Sequence, residues 1–137
     1  MIDLELHHLH TINAKQRFEI VVCEYLNQSL PFKTAALIIC SCIPNGKVSS
    51  YGRIARFLGE PNRARQVGSA LKNMDEAHFD LQYGLDIPWW RVLRADGTLP
   101  FPSQHPHGYL QRQHLQEEKI IIIDDKVAMK DYFWSPD

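Results

Sequence analysis

Three thiols, a scatter of histidines and two adjacent indoles are the side chains here whose types could do chemistry. Cys40 and Cys42 are spaced C-x-C in one apolar run, and Cys23 stands in another. A thiolate acts as nucleophile or metal ligand when a neighbouring cation or base lowers its pKa. No second Cys or His pair lies at zinc-ligand spacing, however, and three cysteines in apolar runs read as buried free thiols rather than a disulfide framework. His7, His8 and His10 lack a partner cluster and read as a polar arm. His105, His107 and Glu118 could move protons, but no spacing among them supports an enzymatic site. Trp89 and Trp90 bring flat apolar faces and N–H donors, not nucleophiles. No metal or cofactor is expected.

Charge is the remaining chemistry. The chain has 137 residues, 15 Lys and Arg against 16 Asp and Glu, and a net charge of −1, which taken whole counts against nucleic-acid binding. By segment the picture changes. Lys47, Arg53, Arg56, Arg63, Arg65 and Lys72 face only Glu60 between residues 47 and 72, a net +5, while residues 73–88 carry −4 and residues 113–137 carry −3. Clustered cations neutralise phosphates and release counterions. The same cluster on a solvated helix surface would need no partner at all.

Those bases sit on recognisable elements. Ser50 can cap a helix over 51–58 that Gly59 stops, and Asn62 can cap a second helix over 63–72, the outline of a helix-turn-helix. On the second helix Ala64, Val67, Gly68 and Leu71 form a core stripe, while Arg65, Ser69 and Lys72 point outward. Upstream, 13–30 has the spacing of an amphipathic helix, with Phe18, Val21, Val22, Tyr25 and Leu26 on one face. Residues 32–43 read as a buried helix. Downstream, 74–87 and 101–108 read as loops, Asp96-Gly97 as a tight turn, 110–118 as a helix, and 120–129 as a hairpin. The fold class is mostly α: a winged helix-turn-helix-like DNA-binding domain (31–137) with a small C-terminal β-hairpin. An N-terminal extension (1–30) adds an arm and a helix. No apolar run approaches the ~20 residues that span a bilayer, and no signal peptide opens the chain. The expectation is a soluble, intracellular monomer without membrane partners.

Ile43-Pro44-Asn45-Gly46-Lys47-Val48-Ser49-Ser50-Tyr51-Gly52-Arg53-Ile54-Ala55 resembles the I-P-x-G-x-V-x-T/S-Y-G-x-I-A segment of the O6-alkylguanine-DNA alkyltransferases. Ala64-Arg65-Gln66-Val67-Gly68-Ser69-Ala70 resembles their recognition-helix motif A-R-x-V-G-x-A. Ile87-Pro88-Trp89-Trp90-Arg91-Val92 is similar to their I-P-C-H-R-V, and Leu115-Gln116-Glu117-Glu118 to their L-x-x-E. The likeness covers about three quarters of the chain, in order. The enzymes move an alkyl group from guanine to a cysteine activated by the adjacent histidine. Here Trp89 and Trp90 hold those two positions, so alkyl transfer is not expected. Tryptophan at the cysteine position marks the alkyltransferase-like proteins, whose aromatic ending is similar to Tyr132-Phe133-Trp134-Ser135-Pro136.

The resemblance implies a non-enzymatic sensor that binds O6-alkylguanine in double-stranded DNA by base flipping and flags it for nucleotide excision repair. It places Arg65 as the finger that enters the stack and Tyr51 against the 3′ phosphate, with Arg53 and Lys72 on phosphates. Gln66 and Ser69 share the DNA-facing helix. Trp89, Tyr51, Arg91, Val92 and Ser103 are expected at the lesion-base pocket, with Trp90 either there or in the core. Three departures stand out: extra length between Gly68 and Trp89, which bears on Asn73 as a hinge; Lys119 in place of a glycine; and a first 30 residues without counterpart. A helix-turn-helix regulator without lesion specificity is the alternative.

Overall fold

The computed structural model describes residues 9–74 and 83–136. After a 3-10 turn at Leu9–Thr11 come α1 (Ala14–Leu26), α2 (Phe32–Ser41), β1 (Ser49–Ser50), α3 (Tyr51–Phe57) and α4 (Ala64–Lys72). Then follow β2 (Val92–Leu93), α5 (Pro106–Glu117), β3 (Ile122–Ile123), β4 (Lys126–Val127) and α6 (Met129–Tyr132). The molecule is mostly helical: α3 and α4 form the helix-turn-helix, β3 and β4 the wing, and α1 the additional N-terminal helix. Among the described residues no helix is long and apolar enough to cross a membrane. The expected loop at 74–87 lies largely outside the described residues, as do His7 and His8.

Asn13 opens α1 through a reciprocal capping box, its Oδ1 accepting from the Gln16 N–H at 2.8 Å. The helix ends at Leu26, four residues short of the expected Leu30. Gln28 adopts a left-handed φ of 61° and the Ser29 N–H turns back to the Glu24 carbonyl. Leu26, counted with the apolar face, is 64% exposed as a result. The rest of that face packs inward: Val21 is fully buried, Val22 and Tyr25 are half-buried against the core, and half-buried Phe18 meets Phe57 and Trp134 edge-on at 5.2 and 5.7 Å. Arg17 donates to Ser41 Oγ and to the Ser41 and Leu9 carbonyls, which ties the N-terminal turn and α1 to α2. Leu9, Val21 and Leu30 therefore share one buried cluster with α2, α3 and α4.

In the helix-turn-helix, Ser50 Oγ caps α3 by accepting from the Arg53 N–H at 3.2 Å. Asn62 does not cap α4. Pro61–Arg63 winds a 3-10 turn, and Arg63 occupies the cap position without a side-chain hydrogen bond. Its guanidinium lies 4.1 Å over the Phe32 ring and pairs with Glu60 at 3.3 Å. The buried residues of α4 are Val67 and Ala70, whereas Ala64, Gly68 and Leu71 are only half-buried, so the core stripe is centred differently from the expectation.

Two connections have no periodic signature in the chain. β1 and β2 pair in parallel, Ser49 beside Val92 and Ser50 beside Leu93; strands of two residues show no alternation to read. The C-terminal segment also returns to Val48, whose N–H donates to the Tyr132 carbonyl and whose carbonyl accepts from the Trp134 N–H. The wing is a hairpin as expected. Asp124 and Asp125 both take left-handed φ (53° and 60°), the geometry of a tight hairpin turn. It docks on the Asp96-Gly97 turn, where the Val127 N–H donates to the Gly97 carbonyl at 2.9 Å. Helix α5 begins at Pro106, earlier than the expected Leu110, because proline suits the first helical turn and His105 caps it by accepting from the His107 N–H at 3.1 Å. Only the front of the expected 101–108 loop remains a loop.

Backbone geometry makes two substitutions opposite in sign. A Cβ on Gly97 would sit 2.0 Å from the Val127 carbonyl oxygen at a φ of +91°. Gly97→Ala should therefore lower stability by about 3 kcal/mol through combined strain and overpacking. Lys119 holds a φ of +67° just past α5, a conformation that glycine adopts without penalty. Lys119→Gly should raise stability by roughly 0.5 kcal/mol. Urea denaturation of the two variants checks both signs.

Candidate nucleic-acid interface

The interface candidate is built on three rigid supports: the first turn of α3, the outward face of α4, and the 3-10 turn Trp89–Arg91. Tyr51 stands first in α3, directly after β1, so the sheet fixes its root. Its ring lies against α4 at the one place where a side chain is missing: a Cβ on Gly68 would sit 3.7 Å from Tyr51 Cδ1 and Cε1. Burial pushes the Tyr51 phenol up to about 12, partly offset by the Arg94 charge nearby. The group is thus a neutral O–H at physiological pH, able to approach a phosphate as donor. One helical turn before Gly68, Arg65 extends into solvent without a hydrogen bond or ion pair among the described residues. Gln66 and Lys72 are exposed beside it, and Ser69 is half-buried. Asn73 ends the helix, its Nδ2 donating to Ser69 Oγ at 3.2 Å.

Arg53, expected on a phosphate, is drawn the other way. Its guanidinium lies 4.7 Å from the Phe133 ring centroid and 5.8 Å from that of Phe57, and Nη2 donates to the Trp134 carbonyl. The Ile43–Ala55 motif does not show this, because Phe57 lies just past it and Phe133 and Trp134 come from the C-terminal segment.

The Trp-Trp pair divides its work. Trp89 is half-buried within a ring cluster, edge-on to Trp90 at 6.0 Å, His107 at 5.7 Å and His114 at 6.4 Å. Phe101 stacks on His105 at 4.9 Å and His105 on His107 at 5.4 Å. The front of the 101–108 loop, with Ser103 exposed, is thereby ordered next to Trp89. Arg112 fixes that loop from below, donating to the Phe101 and Gly108 carbonyls and pairing with Asp125 at 2.9 Å. Gly108 lets loop and helix touch, since a Cβ there would fall 1.9 Å from the Pro102 carbonyl oxygen. Trp90 is structural. It stacks on His114 at 3.9 Å and its Nε1–H donates to Glu118 at 2.8 Å.

Glu118 gathers the supports. Arg91 donates to it from Nε at 3.0 and 2.9 Å and from Nη2 at 2.7 Å, and the Gly46 N–H adds 2.9 Å. Arg91 Nη1 reaches on to the Ile43 carbonyl at 2.7 Å. Arg91 therefore underpins the turn, and the fully buried Val92 backs it from within the core. Gln111, which carries no motif signal, donates to the Trp90 and Val92 carbonyls and holds the same turn. Burial works to raise the Glu118 carboxyl, but the Arg91, Gly46 and Trp90 hydrogen bonds together hold it below its ordinary value.

One sequence expectation changes here. No cysteine lies near Trp89 along the chain, yet Cys40 Sγ donates to the Pro88 carbonyl at 3.6 Å. The thiol is fully buried, and desolvation raises its pKa far above the ordinary range; burial likewise raises Cys42. Neither can act as a thiolate. Cys23, expected to be buried like the other two, is instead exposed on α1, because its side of that helix faces away from the core.

Residues 31–120 match the family model described as 6-O-methylguanine DNA methyltransferase, DNA binding domain. The chain is 37% identical over 100 residues to alkyltransferase-like protein 1 of Schizosaccharomyces pombe, covering 69% of this chain and 85% of that one. It is 38% identical over 95 residues to a DNA base-flipping protein of Vibrio parahaemolyticus, covering 69% and 86%. The crystal structure of S. pombe Atl1 in complex with damaged DNA containing O6-carboxymethylguanine is similar at a TM-score of 0.64 and 35% identity. That match covers 77% of this chain and 95% of the other.

Glu118 generates a pH signature. Its folded pKa lies below its unfolded value, so its stabilisation is complete above the ordinary carboxylate value of about 4.3 and is lost as pH falls through the folded value. Glu118→Gln should cost about 3 kcal/mol at pH 7 by leaving Arg91 uncompensated. It should also flatten the acid limb of a stability-versus-pH curve recorded by thermal denaturation.

Proposed function

Because this chain belongs to the alkyltransferase-like proteins, built on the 6-O-methylguanine DNA methyltransferase DNA-binding domain, we propose that it is a non-enzymatic sensor of O6-alkylguanine in duplex DNA. The observation that carries this reading is the likeness, over 77% of this chain and 95% of the relative, to a protein held on DNA containing O6-carboxymethylguanine. In the proposed mechanism α4 enters the minor groove, where Gly68 and its other small residues permit close approach. Flipping the base costs a few kcal/mol of stacking and pairing, and less at a damaged pair. Arg65 fills the vacated place and its cation faces the neighbouring π surfaces. Tyr51 crowds the 3′ phosphate, while Gln66, Ser69 and Lys72 line the DNA-facing side. The extruded base sits against Trp89, under the loop bearing Ser103, with Arg91 and Val92 supporting that wall.

By the motif match, Trp89 takes the place of the acceptor cysteine and Trp90 that of its activating histidine. An indole N–H donates and does not attack, and Cys40 and Cys42 are buried and protonated. The lesion is therefore bound and left unrepaired, to be passed to nucleotide excision repair inside the cell.

Fluorescence anisotropy with matched duplexes tests the reading. Binding to O6-methylguanine DNA should be at least about tenfold tighter than to guanine DNA, within the range of protein–DNA discrimination, and the protein mass should stay unchanged after incubation. Equal affinities would reject the sensor, and preference for one undamaged sequence would favour a regulator. Arg65→Ala should weaken lesion binding by about tenfold, the scale of a lost stacking contact. Deleting the gene in cells that lack excision repair should add no further sensitivity to alkylation.

A further inference from the structure

Arg94 is the cation that the structure sets beside Tyr51. The parallel pair runs Ser49–Val92 and Ser50–Leu93, so the residues that follow in register are Tyr51 and Arg94. Adjacent strands lie about 4.8 Å apart, so Tyr51, which turns into α3, and Arg94 start from paired neighbours, Ser50 and Leu93, at the end of the sheet. The Arg94 charge also acts on the Tyr51 phenol. Its backbone is held on both sides, the N–H donating to the Thr98 carbonyl at 3.1 Å and the carbonyl accepting from the Gly97 N–H at 2.8 Å. Val92 and Leu93 before it are fully buried. The side chain, by contrast, is exposed and has no hydrogen bond or ion pair among the described residues. Asp96, the carboxylate nearest to Arg94 along the sequence, is taken by the Thr98 N–H at 2.9 Å and by Lys126 at 3.9 Å.

An unpaired guanidinium on a rigid root, next to a neutral phenol, suits a doubly liganded phosphate oxygen pair. We propose that Arg94 is a phosphate contact of the DNA interface, gripping with Tyr51 the backbone beside the flipped nucleotide. Tyr51 is then flanked by the α4 face bearing Arg65 and Gly68 on one side and by Arg94 on the other. Arg94 supplies there the charge that Arg53 spends on Phe133 and Phe57. This inference rests on the sensor reading for the identity of the nucleotide, but not for the phosphate contact itself.

The test is anisotropy over a salt series with O6-methylguanine and guanine duplexes, comparing wild type, Arg94→Ala and Arg94→Lys, each checked for an unchanged melting temperature. A phosphate contact contributes equally to both duplexes, so Arg94→Ala should weaken both by about five- to tenfold near 0.1 M salt. The slope of log K against log salt should fall by about one, and Arg94→Lys should restore most of it. Wild-type affinity and slope in Arg94→Ala, alongside intact lesion preference, would overturn the inference and leave the sensor standing. Loss of lesion preference at an unchanged slope would also overturn it, moving Arg94 from phosphate to base. Equal wild-type affinity for both duplexes would sink the sensor instead, while a reduced Arg94→Ala slope would still uphold the phosphate contact.

Discussion

The Glu118 carboxylate, with only 6% of its side chain exposed, accepts from Arg91, from the Trp90 indole and from the Gly46 backbone. Those donors come from the turn before β1 and the 3-10 turn before β2, while the acceptor itself stands at the end of α5. A buried carboxylate is costly unless every lone pair is occupied, so this one is stable only when all three elements are in place. Their relative placement in turn fixes the β1–β2 pairing, and the pairing sets both Tyr51 and the approach of Trp89. Trp90, which could have been a second pocket wall, is spent on this junction. The indole N–H suits it because it donates only and needs nothing back.

The positive surface is narrower than the basic segment of the chain. Five arginines are occupied within the protein: Arg17 on Ser41, Arg53 on the C-terminal rings, Arg63 on Phe32 and Glu60, Arg91 on Glu118, and Arg112 on the 101–108 loop and Asp125. Each exchanges hydrogen bonds to water for fixed protein acceptors or a π face, and is thereby held in place. Arg65 and Lys72 stay exposed on α4 and Arg94 on the strand edge, alongside Lys47 and Arg56. Affinity for a polyanion depends on those that remain free.

The N-terminal helix shows the same economy. Its residues precede the stretch that matches the family model, which begins at residue 31, and yet Phe18 reaches Phe57 of α3 and Trp134 near the C-terminus. The back of the helix-turn-helix is thereby closed by two segments from opposite ends of the chain. Small domains gain disproportionately from such added burial, since they hide less of their surface than large ones.

Local rules were enough for much of this molecule. The Asn13 and Ser50 caps, the Gly59 stop, the Asp96-Gly97 turn and the hairpin at Asp124-Asp125 are each specified by residues within a few positions, and the motif order exposed the kinship and the candidate roles of Arg65, Tyr51 and Trp89. Apart from the end of α1, the cap of α4 and the start of α5, what local reading missed is long-range. The β1–β2 pair joins residues more than forty positions apart through strands too short to show a period. The fate of Arg53 depends on Phe133, the proximity of Cys40 to Pro88 on a turn 48 residues away, and the prominence of Arg94 on a register that no window contains. Sequence chose which residues could carry charge, stack or donate. Tertiary packing decided which of them were left free to do so, because burial forces every polar group to find a partner and only the unclaimed ones can meet DNA.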